Sequence, residues 1–407
     1  MNWKVSRAFT TIGSGTTPKS DDASYYDNGT INWLITGDVN DGEIKNIDRK
    51  ITAKALSDYS ALHIYPVGSI VITMYGAIGK IGMLTEPSTV NQACCVLVPG
   101  KNIFPKYALH YFLATRHQII ELGVGGVQSN VSQDIIKSLR ISLPSVEMQR
   151  NIASYLDRKV SIIDKIIAAK NHTHTHLLEL RQAIITDAVL GRGGVFMNYR
   201  QTNISWIGKI PAHWQVRRIK DIADISVGWT PDTNNPDYFN GNNTWVTIAD
   251  MNQKYIVSSK VKISNEAIDS SRIRLVKKGS LLYSFKLSVG KVAFAGKDLY
   301  TNEAIAAITP NYNDEVDTSF LYYAISTYLA NNANENIYGA KIMNQDTIRN
   351  SYIAFPDINE QLKISRTLDK KVRNIDDAMS INKQSIQLLN EYRSSLISNV
   401  INGKVKV

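Results

Sequence analysis

Residues 206–222 have the sequence WIGKIPAHWQVRRIKDI, and they lie in the middle of a 407-residue chain. The N-terminus, MNWKVSRAFTTI, contains Trp3-Lys4-Val5, which matches Trp214-Gln215-Val216 inside that stretch. A segment in the middle of the chain that resembles the N-terminal segment predicts that the chain is a duplication. Internal repeats decide the whole fold assignment, so this match makes the comparison of the two halves the first question.

The match continues along both halves at an offset of about 211 residues, and the order of the segments is preserved. The corresponding segments are Thr17-Pro18 with Thr230-Pro231, Trp33 with Trp245, GSIVITMYGAIGKIG (68–82) with GSLLYSFKLSVGKVA (279–293), NQA (91–93) with NEA (302–304), and SQDIIKSLRISLP (132–144) with NQDTIRNSYIAFP (344–356). The chain is therefore predicted to contain an internal pseudo-twofold repeat.

Each copy begins with a strand-rich domain, predicted at residues 1–144 and 196–356. Short stretches rich in Val, Ile, Tyr and Thr are interrupted by Gly, Asn and Asp turns, which is typical of β-strands. One helix is predicted in each domain, at PKYALHYFLATRHQII (105–120) and DTSFLYYAISTYLANN (317–332). The expected fold class is α+β.

Each copy ends with a helical region, predicted at residues 145–195 and 357–407. Apolar residues at 152, 156, 160, 163 and 167 recur with the same spacing at 364, 368, 372, 375 and 379. Glycines at 191 and 403 are expected as helix caps. Such narrow stripes predict two long antiparallel coiled-coil helices that separate the strand-rich domains. The alternative is two separate helices, each packed on its own domain.

Antiparallel pairing would place the two strand-rich domains at opposite ends of a rod. About 40 helical residues span roughly 60 Å. Half-sites on B-DNA lie about 34 Å apart for each helical turn. A rod of this length is expected to present both domains to one duplex.

Composition bounds the function classes. The chain has 43% hydrophobic residues, enough for two or more cores, and a formal net charge of +10, which favours a polyanionic partner such as nucleic acid. No apolar run approaches the roughly 20 residues of a membrane span and no signal segment is present, so a cytoplasmic protein without a membrane partner is expected. Cys94 and Cys95 are expected to be buried small hydrophobes.

Candidate catalytic and metal motifs are weak. NNPDYF (234–239) lacks the second proline of an amino-methyltransferase signature, and PDINEQLK (356–363) has the wrong spacing for a nuclease. HTHTH (172–176) supplies two histidines on one helix face but no third ligand. LGVGGVQSN (122–130) lacks the Gly-Lys-Ser/Thr ending of a nucleotide loop, and a DNA-backbone loop is preferred over a structural turn. We therefore expect no catalytic residue, metal site or cofactor site.

The combination of WIGKIPAHWQVRRIKDI, ISVGWTPDTNNPDYFNGNNTWVTIADMN (225–252), LPSVEMQRNIASYLD (143–157) and FPDINEQLKISRTLD (355–369) resembles the specificity subunit of type I restriction-modification enzymes. The resemblance covers essentially the whole chain. It implies two target recognition domains, each followed by a helical spacer region. The two copies differ at their starts. The second copy has a complete leading segment from Met197, whereas the first copy begins only at Asn2-Trp3, which would fit a trimmed N-terminus.

The resemblance also implies a non-catalytic subunit that recognises a bipartite asymmetric target in double-stranded DNA. Two modification (methyltransferase) subunits and two restriction (translocase/nuclease) subunits would dock on it, carrying S-adenosylmethionine, ATP and Mg. The rival hypotheses are a fused single-chain methyltransferase or nuclease and a stand-alone DNA-binding adaptor.

Candidate DNA contacts lie in turns that carry polar or basic residues in both copies. Lysines there are expected to meet phosphates, and carboxamides to meet adenine edges. The predicted DNA-binding residues are Thr16, Lys19, Tyr75, Lys80, Gln128 and Asn130 in the first copy, and Thr230, Lys286, Lys291, Lys341 and Asn344 in the second.

Overall fold

A computed structural model describes residues 2–123, 130–192, 198–271, 273–286, 288–311, 315–329, 334–335 and 341–407. The chain divides into two compact units. Unit 1 comprises Met1–His172 with Asn382–Val407, and unit 2 comprises Thr173–Ile381. The division passes through both long helices, so each unit contains one strand-rich domain and parts of two helices.

The strands of the first copy are β1 Asn2–Lys4, β2 Phe9–Gly13, β3 Ile31–Leu34, β4 Glu43–Ile44, β5 Lys50–Ile51, β6 Ile70–Thr73, β7 Ile81–Leu84, β8 Thr89–Val90, β9 Cys94–Pro99 and β10 Arg140–Ser142. Its helices are α1 Val5–Ala8, α2 Ala53–Asp58, α3 Pro105–Glu121 and α4 Gln133–Ser138. The first long helix, α5, is Val146–Val189.

The strands of the second copy are β11 Tyr199–Gln201, β12 Lys209–Pro211, β13 Gln215–Arg218, β14 Ala223–Val227, β15 Asn243–Val246, β16 Tyr255–Ile256, β17 Val261–Ile263, β18 Leu281–Ser284, β19 Val292–Ala295, β20 Tyr300–Thr301, β21 Ile305–Pro310, β22 Asn334–Glu335, β23 Lys341–Ile342 and β24 Tyr352–Phe355. Its helices are α6 Asn265–Asp269, α7 Thr318–Tyr328 and α8 Gln345–Asn350, and the second long helix, α9, is Ile358–Ile401.

Sheet topology confirms the duplication. Unit 1 contains a five-stranded sheet of order β2-β9-β6-β7-β4 and a three-stranded sheet of order β5-β3-β8. Unit 2 repeats them as β14-β21-β18-β19-β16 and β17-β15-β20. The outer strand is parallel to its neighbour in both, β4 to β7 and β16 to β19. The fold is α+β, as the residue pattern predicts.

The two faces of each five-stranded sheet are covered by separate apolar clusters. In unit 1, α3 packs Ala108, Leu109 and Phe112 against Ile70 and Ile72 of β6. The opposite face carries Val71 and Cys94 in a second cluster. This two-sided burial explains why the central strands have continuous apolar runs rather than strict alternation. Cys94 and Cys95 are both fully buried, and burial raises the pKa of each thiol to about 12.

The long helices pair antiparallel within each unit. In unit 1, Leu156, Val160 and Ile163 of α5 share a core cluster with residues 396–401 of α9. Asp164 Oδ1 lies 3.0 Å from Arg393 Nε, and six residues further along α5 the carbonyl of Lys170 accepts a 2.8 Å hydrogen bond from Asn382 Nδ2. Residue numbers therefore increase along α5 in the direction in which they decrease along α9, so the two helices are antiparallel.

Unit 2 repeats this pairing between the C-terminal part of α5 and the N-terminal part of α9. Arg181 of α5 donates a 2.8 Å hydrogen bond from Nε to Asp376 Oδ1 of α9. Ile185 and Val189 share a cluster with Leu368 and Val372. Both helices are 44 residues long, and the glycines that follow them have left-handed φ values, +68° at Gly191 and +71° at Gly403.

The match of Trp3 with Trp214 is wrong in the folded chain. Trp3 pairs with Ile141, whereas the residue that pairs with the corresponding Ile353 is Arg217. Trp3 is 41% exposed, while Trp214 is 1% exposed and donates from Nε1 to Glu360 at 2.9 Å. The tryptophans occupy different places because strand pairing, not letter identity, sets the register.

Candidate nucleic-acid interface

Three loops of unit 1 meet at one edge of the five-stranded sheet. The antiparallel register pairs Thr73 at the end of β6 with Cys94 at the start of β9, and places Gly13 at the end of β2 beside Val96. Consequently residues 14–20, 74–80 and 91–93 emerge side by side. We call these three segments loop edge 1.

Hydrogen bonds join the three segments of loop edge 1. Met74 donates its N–H to the carbonyl of Ala93 at 2.7 Å, and the Tyr75 hydroxyl donates to the carbonyl of Gln92 at 2.9 Å. The Thr17 hydroxyl donates to Gln92 Oε1 at 2.7 Å. The segments therefore form one surface held by main-chain and side-chain bonds.

Unit 2 builds the same surface from residues 227–233, 285–286, 288–291 and 302–304, which we call loop edge 2. Phe285 donates its N–H to the carbonyl of Ala304 at 3.0 Å, as Met74 does to Ala93. The Thr230 hydroxyl donates to Glu303 Oε2, as Thr17 does to Gln92. The two copies thus keep one frame and change the side chains on it.

In each loop edge a glycine of the first segment permits close approach to the strand that leads into the third segment, β8 in unit 1 and β20 in unit 2. A Cβ atom on Gly15 would lie 1.7 Å from the carbonyl oxygen of Val90, and one on Gly228 would lie 2.1 Å from that of Thr301. No side chain fits at such distances, so any larger residue must push the loops apart.

The matched tryptophans fix the first segment from beneath. Trp33 is 7% exposed and donates from Nε1 to the carbonyl of Thr16 at 3.2 Å. Trp245 is 6% exposed and donates to the carbonyl of Trp229 at 3.1 Å. Trp229, which is 48% exposed, therefore stands at the position of Thr16.

Most of the predicted DNA-binding residues lie on the two loop edges. Thr16, Lys19, Tyr75 and Lys80 are on loop edge 1, and Thr230, Lys286 and Lys291 are on loop edge 2. Lys19 and Lys286 are exposed. Lys291 donates from Nζ to the carbonyl of Ile248 at 3.1 Å, so part of its donor capacity is used within the protein.

The remaining predicted residues divide into three cases. Gln128 lies outside the described residues, and Lys341 is described only as part of β23. Asn130 is exposed next to Val131, which donates its N–H to the carbonyl of Met74 at 3.1 Å. Asn344 caps α8, with Oδ1 accepting from the Thr347 N–H at 2.7 Å. Ser132 caps α4 in the same way, so Asn344 corresponds to Ser132.

Sequence reasoning missed Gln92 and Glu303. The NQA and NEA segments match in sequence except at their central residue. That match does not reveal that both central side chains are exposed among the loops. Only the strand register brings residues 91–93 beside residues 74–80.

The other motifs have structural settings. NNPDYF forms a 3-10 turn, Pro236–Phe239, whose start is capped by Asn235. His176 Nδ1 lies 3.1 Å from Glu179 Oε2 on the surface of α5. PDINEQLK begins α9, and Asp357 Oδ1 accepts from the N–H groups of Asn359 and Glu360. Within the described ranges, no helix is long and apolar enough to traverse a bilayer.

The family model of the type I restriction modification DNA specificity domain matches residues 3–173 and 211–391. The chain belongs to this family. The two matches coincide with the two copies of the repeat. Membership confirms the expectation of a type I DNA-specificity chain. The relatives described next are named as specificity subunits.

The MjaIX specificity subunit of Methanocaldococcus jannaschii is 31% identical over 199 residues, which are 47% of this chain and 45% of that relative. This chain therefore aligns with less than half the length of that relative. The EcoBI specificity subunit of Escherichia coli is 21% identical over 84% of this chain and 74% of its own length. The StySPI specificity subunit of Salmonella potsdam is 20% identical over 97% and 87%.

Solved structures share the fold. A chain described under "Structural basis underlying complex assembly and conformational transition of the type I R-M system" superposes with a TM-score of 0.76 at 15% identity, covering 100% of this chain and 98% of the other. The HsdS subunit from Thermoanaerobacter tengcongensis gives a TM-score of 0.53 at 14% identity, covering 100% and 97%.

Proposed function

We propose that this type I specificity chain recognises a bipartite asymmetric DNA target, with loop edge 1 reading one half-sequence and loop edge 2 the other. One observation carries the proposal: both edges have the same hydrogen-bonded frame but display different side chains, such as Tyr75 against Lys286 and Gln92 against Glu303. A shared frame with changed side chains is what two readers of different sequences require.

The basic residues of the loop edges supply the sequence-independent part of binding. Lysine ammonium groups attract phosphates and release counterions, which gives affinity and fixes the register on the duplex. Lys19 and Lys80 make these phosphate contacts on loop edge 1, and Lys286 and Lys291 make them on loop edge 2. Thr16, Tyr75, Asn130 and Thr230 lie beside them and add polar contacts, with Gln128, Lys341 and Asn344 in the adjoining segments.

Methyl transfer and DNA cleavage belong to partner subunits. Two modification subunits and two restriction subunits dock on this chain, and S-adenosylmethionine, ATP and Mg bind to those subunits. The domains assigned are residues 1–144 and 196–356 for recognition and 145–195 and 357–407 for spacing. The long helices then set the distance between the half-sequences.

The direct test is selection from a pool of duplexes with random sequence, using the full chain with its modification subunits. The expected result is enrichment of two short sequences separated by a spacer of fixed length. Enrichment of a single continuous site, or of none, contradicts the proposal. Transfer of labelled methyl groups from S-adenosylmethionine to DNA by the chain alone would instead support a fused methyltransferase.

Spacing has its own test. Four residues, about one helical turn, are inserted after Lys170 and before Asn382 together, so that the Lys170–Asn382 hydrogen bond and the antiparallel register are retained. The proposal expects a longer spacer and unchanged half-sequences. A changed half-sequence would contradict the division between reading and spacing.

A further inference from the structure

Gln92 and Glu303 occupy the same place on the same backbone frame. The preceding asparagine N–H donates to a strand carbonyl in both units, Asn91 to Leu34 at 2.9 Å and Asn302 to Val246 at 3.0 Å. The following alanine N–H donates to that asparagine's Oδ1, at 3.2 Å in the first copy and 3.3 Å in the second. Their backbone positions therefore correspond, and only the end group of the side chain differs.

Both side chains point away from the core. Gln92 and Glu303 are exposed, whereas the alanines that follow them are buried. A threonine hydroxyl binds one oxygen of each, Thr17 on Gln92 Oε1 and Thr230 on Glu303 Oε2. These bonds hold the end groups above the loop edges and reduce the side-chain entropy that binding would otherwise cost.

The threonine bonds leave different binding capacity on the two end groups. In the described part of the chain Gln92 Nε2 makes no hydrogen bond, so Gln92 retains a donor and one lone pair of Oε1. Glu303 retains Oε1 and offers acceptors alone. An exposed carboxylate is repelled by phosphates, so a place among the DNA-facing loops favours contact with a base edge.

We propose that Gln92 and Glu303 are base-reading residues with different preferences, Gln92 for adenine and Glu303 for cytosine. The inference rests on the proposed function. A carboxamide bonds adenine bidentately, accepting from N6–H and donating to N7, and a carboxylate accepts from the N4 amino group of cytosine. The same position in the duplicated frame thus gives each half-sequence a different base.

The test exchanges the two end groups. Gln92→Glu and Glu303→Gln variants of the full chain, with its modification subunits, select from the random-duplex pool. Gln92→Glu is expected to change one position of one half-sequence from adenine to cytosine, and Glu303→Gln one position of the other from cytosine to adenine. The preference should change by roughly 5- to 150-fold, the range for one bidentate contact.

The matched control is Gln201→Glu, which adds the same charge at an exposed position of β11 away from the loop edges. It should leave both half-sequences unchanged. Unchanged base preference in both exchange variants overturns the inference, as does a uniform loss of enrichment in variants whose circular dichroism and thermal unfolding match the parent. If the parent chain itself enriches no bipartite sequence, the proposed function fails first, and this inference falls with it.

Discussion

Gln149 and Gln361 lie at equivalent positions of the two repeats and make the same three hydrogen bonds. Gln149 Nε2 donates to the carbonyls of Asn102 and Pro144, both at 2.9 Å, and Oε1 accepts from the Phe104 N–H at 2.8 Å. Gln361 Nε2 donates to the carbonyls of Glu315 and Pro356 at 2.9 Å, and Oε1 accepts from the Asp317 N–H at 2.9 Å. Each buried glutamine fastens the first turn of a long helix to its strand-rich domain.

Replacement of Gln361 by Leu should destabilise the chain strongly. The change removes the hydrogen-bond partner of the partly buried Asp317 N–H and of two carbonyls, those of Glu315 and Pro356, and a group left without a partner away from water costs about 1–3 kcal/mol. We expect a loss of about 3 kcal/mol in the free energy of unfolding, measured by urea denaturation. Gln387→Leu, on the exposed surface of α9, is the control and should change it by less than about 0.5 kcal/mol.

The helix pairing should depend on its apolar seam more than on its ion pairs. Arg181 and Asp376 are 30% and 50% exposed, and exposed ion pairs contribute at most about 1 kcal/mol. Leu368 is 1% exposed, and its replacement by Ala should cost about 2–4 kcal/mol. Urea denaturation of Arg181→Ala and Leu368→Ala tests this ranking, and equal losses would contradict it.

Two carboxylates should contribute stability that acid removes. Burial acts to raise the pKa of Asp369, but hydrogen bonds from Lys254 and Tyr323 outweigh it and hold the pKa below its usual value. Asp157 is held low in the same way, by His110 and Lys106 against the effect of burial. A lowered folded-state pKa gives stability that is present above the unfolded value, about 3.9, and is lost as the pH falls through the folded value.

Asp369→Asn should therefore be less stable than the parent at neutral pH, by about 1 kcal/mol after solvent screening, and the difference should shrink below about pH 4. Thermal unfolding across pH 2–7, about the range in which carboxylates titrate, measures it. Asp134→Asn, at an 89% exposed side chain, is the control. A difference that stays constant with pH would show that the carboxylate charge is not responsible.

The glycine contacts predict a separable loss of recognition. Gly15→Ala places a methyl group against the carbonyl of Val90 and should displace the first segment of loop edge 1. Enrichment of one half-sequence should weaken while the other persists, and Gly228→Ala should do the reverse. Gly42→Ala is the control, because a Cβ atom there meets nothing within 4 Å. Loss of both half-sequences from either variant would contradict independent loop edges.

Salt dependence should identify the phosphate contacts. Each lysine that neutralises one phosphate adds about 0.9 to the slope of log affinity against log salt concentration. Lys19→Ala and Lys286→Ala should each lower that slope by about one unit in fluorescence titrations with a duplex. Lys383→Ala, on the exposed surface of α9, should leave the slope unchanged. An unchanged slope in the loop-edge variants would remove them from the proposed set of phosphate contacts.

The sequence by itself determined the duplication, the α+β class, the two long helices and the burial of the adjacent cysteines. The duplication follows from comparing the two halves. The fold class, the helices and the cysteine burial follow from local patterns, because the apolar spacing of a helix or strand appears in neighbouring residues. The Thr-Pro turns and the matched Trp33 and Trp245 could likewise be found by comparing the two halves.

Only the tertiary structure decided which residues share a surface. Trp3 lies in the place of Arg217 rather than Trp214, and Gln92 lies beside Thr17 and Tyr75. Each of these relations depends on hydrogen-bonded pairing between strands far apart in the chain. A shift of one residue in that pairing reverses which face a side chain occupies, and local sequence patterns do not encode it.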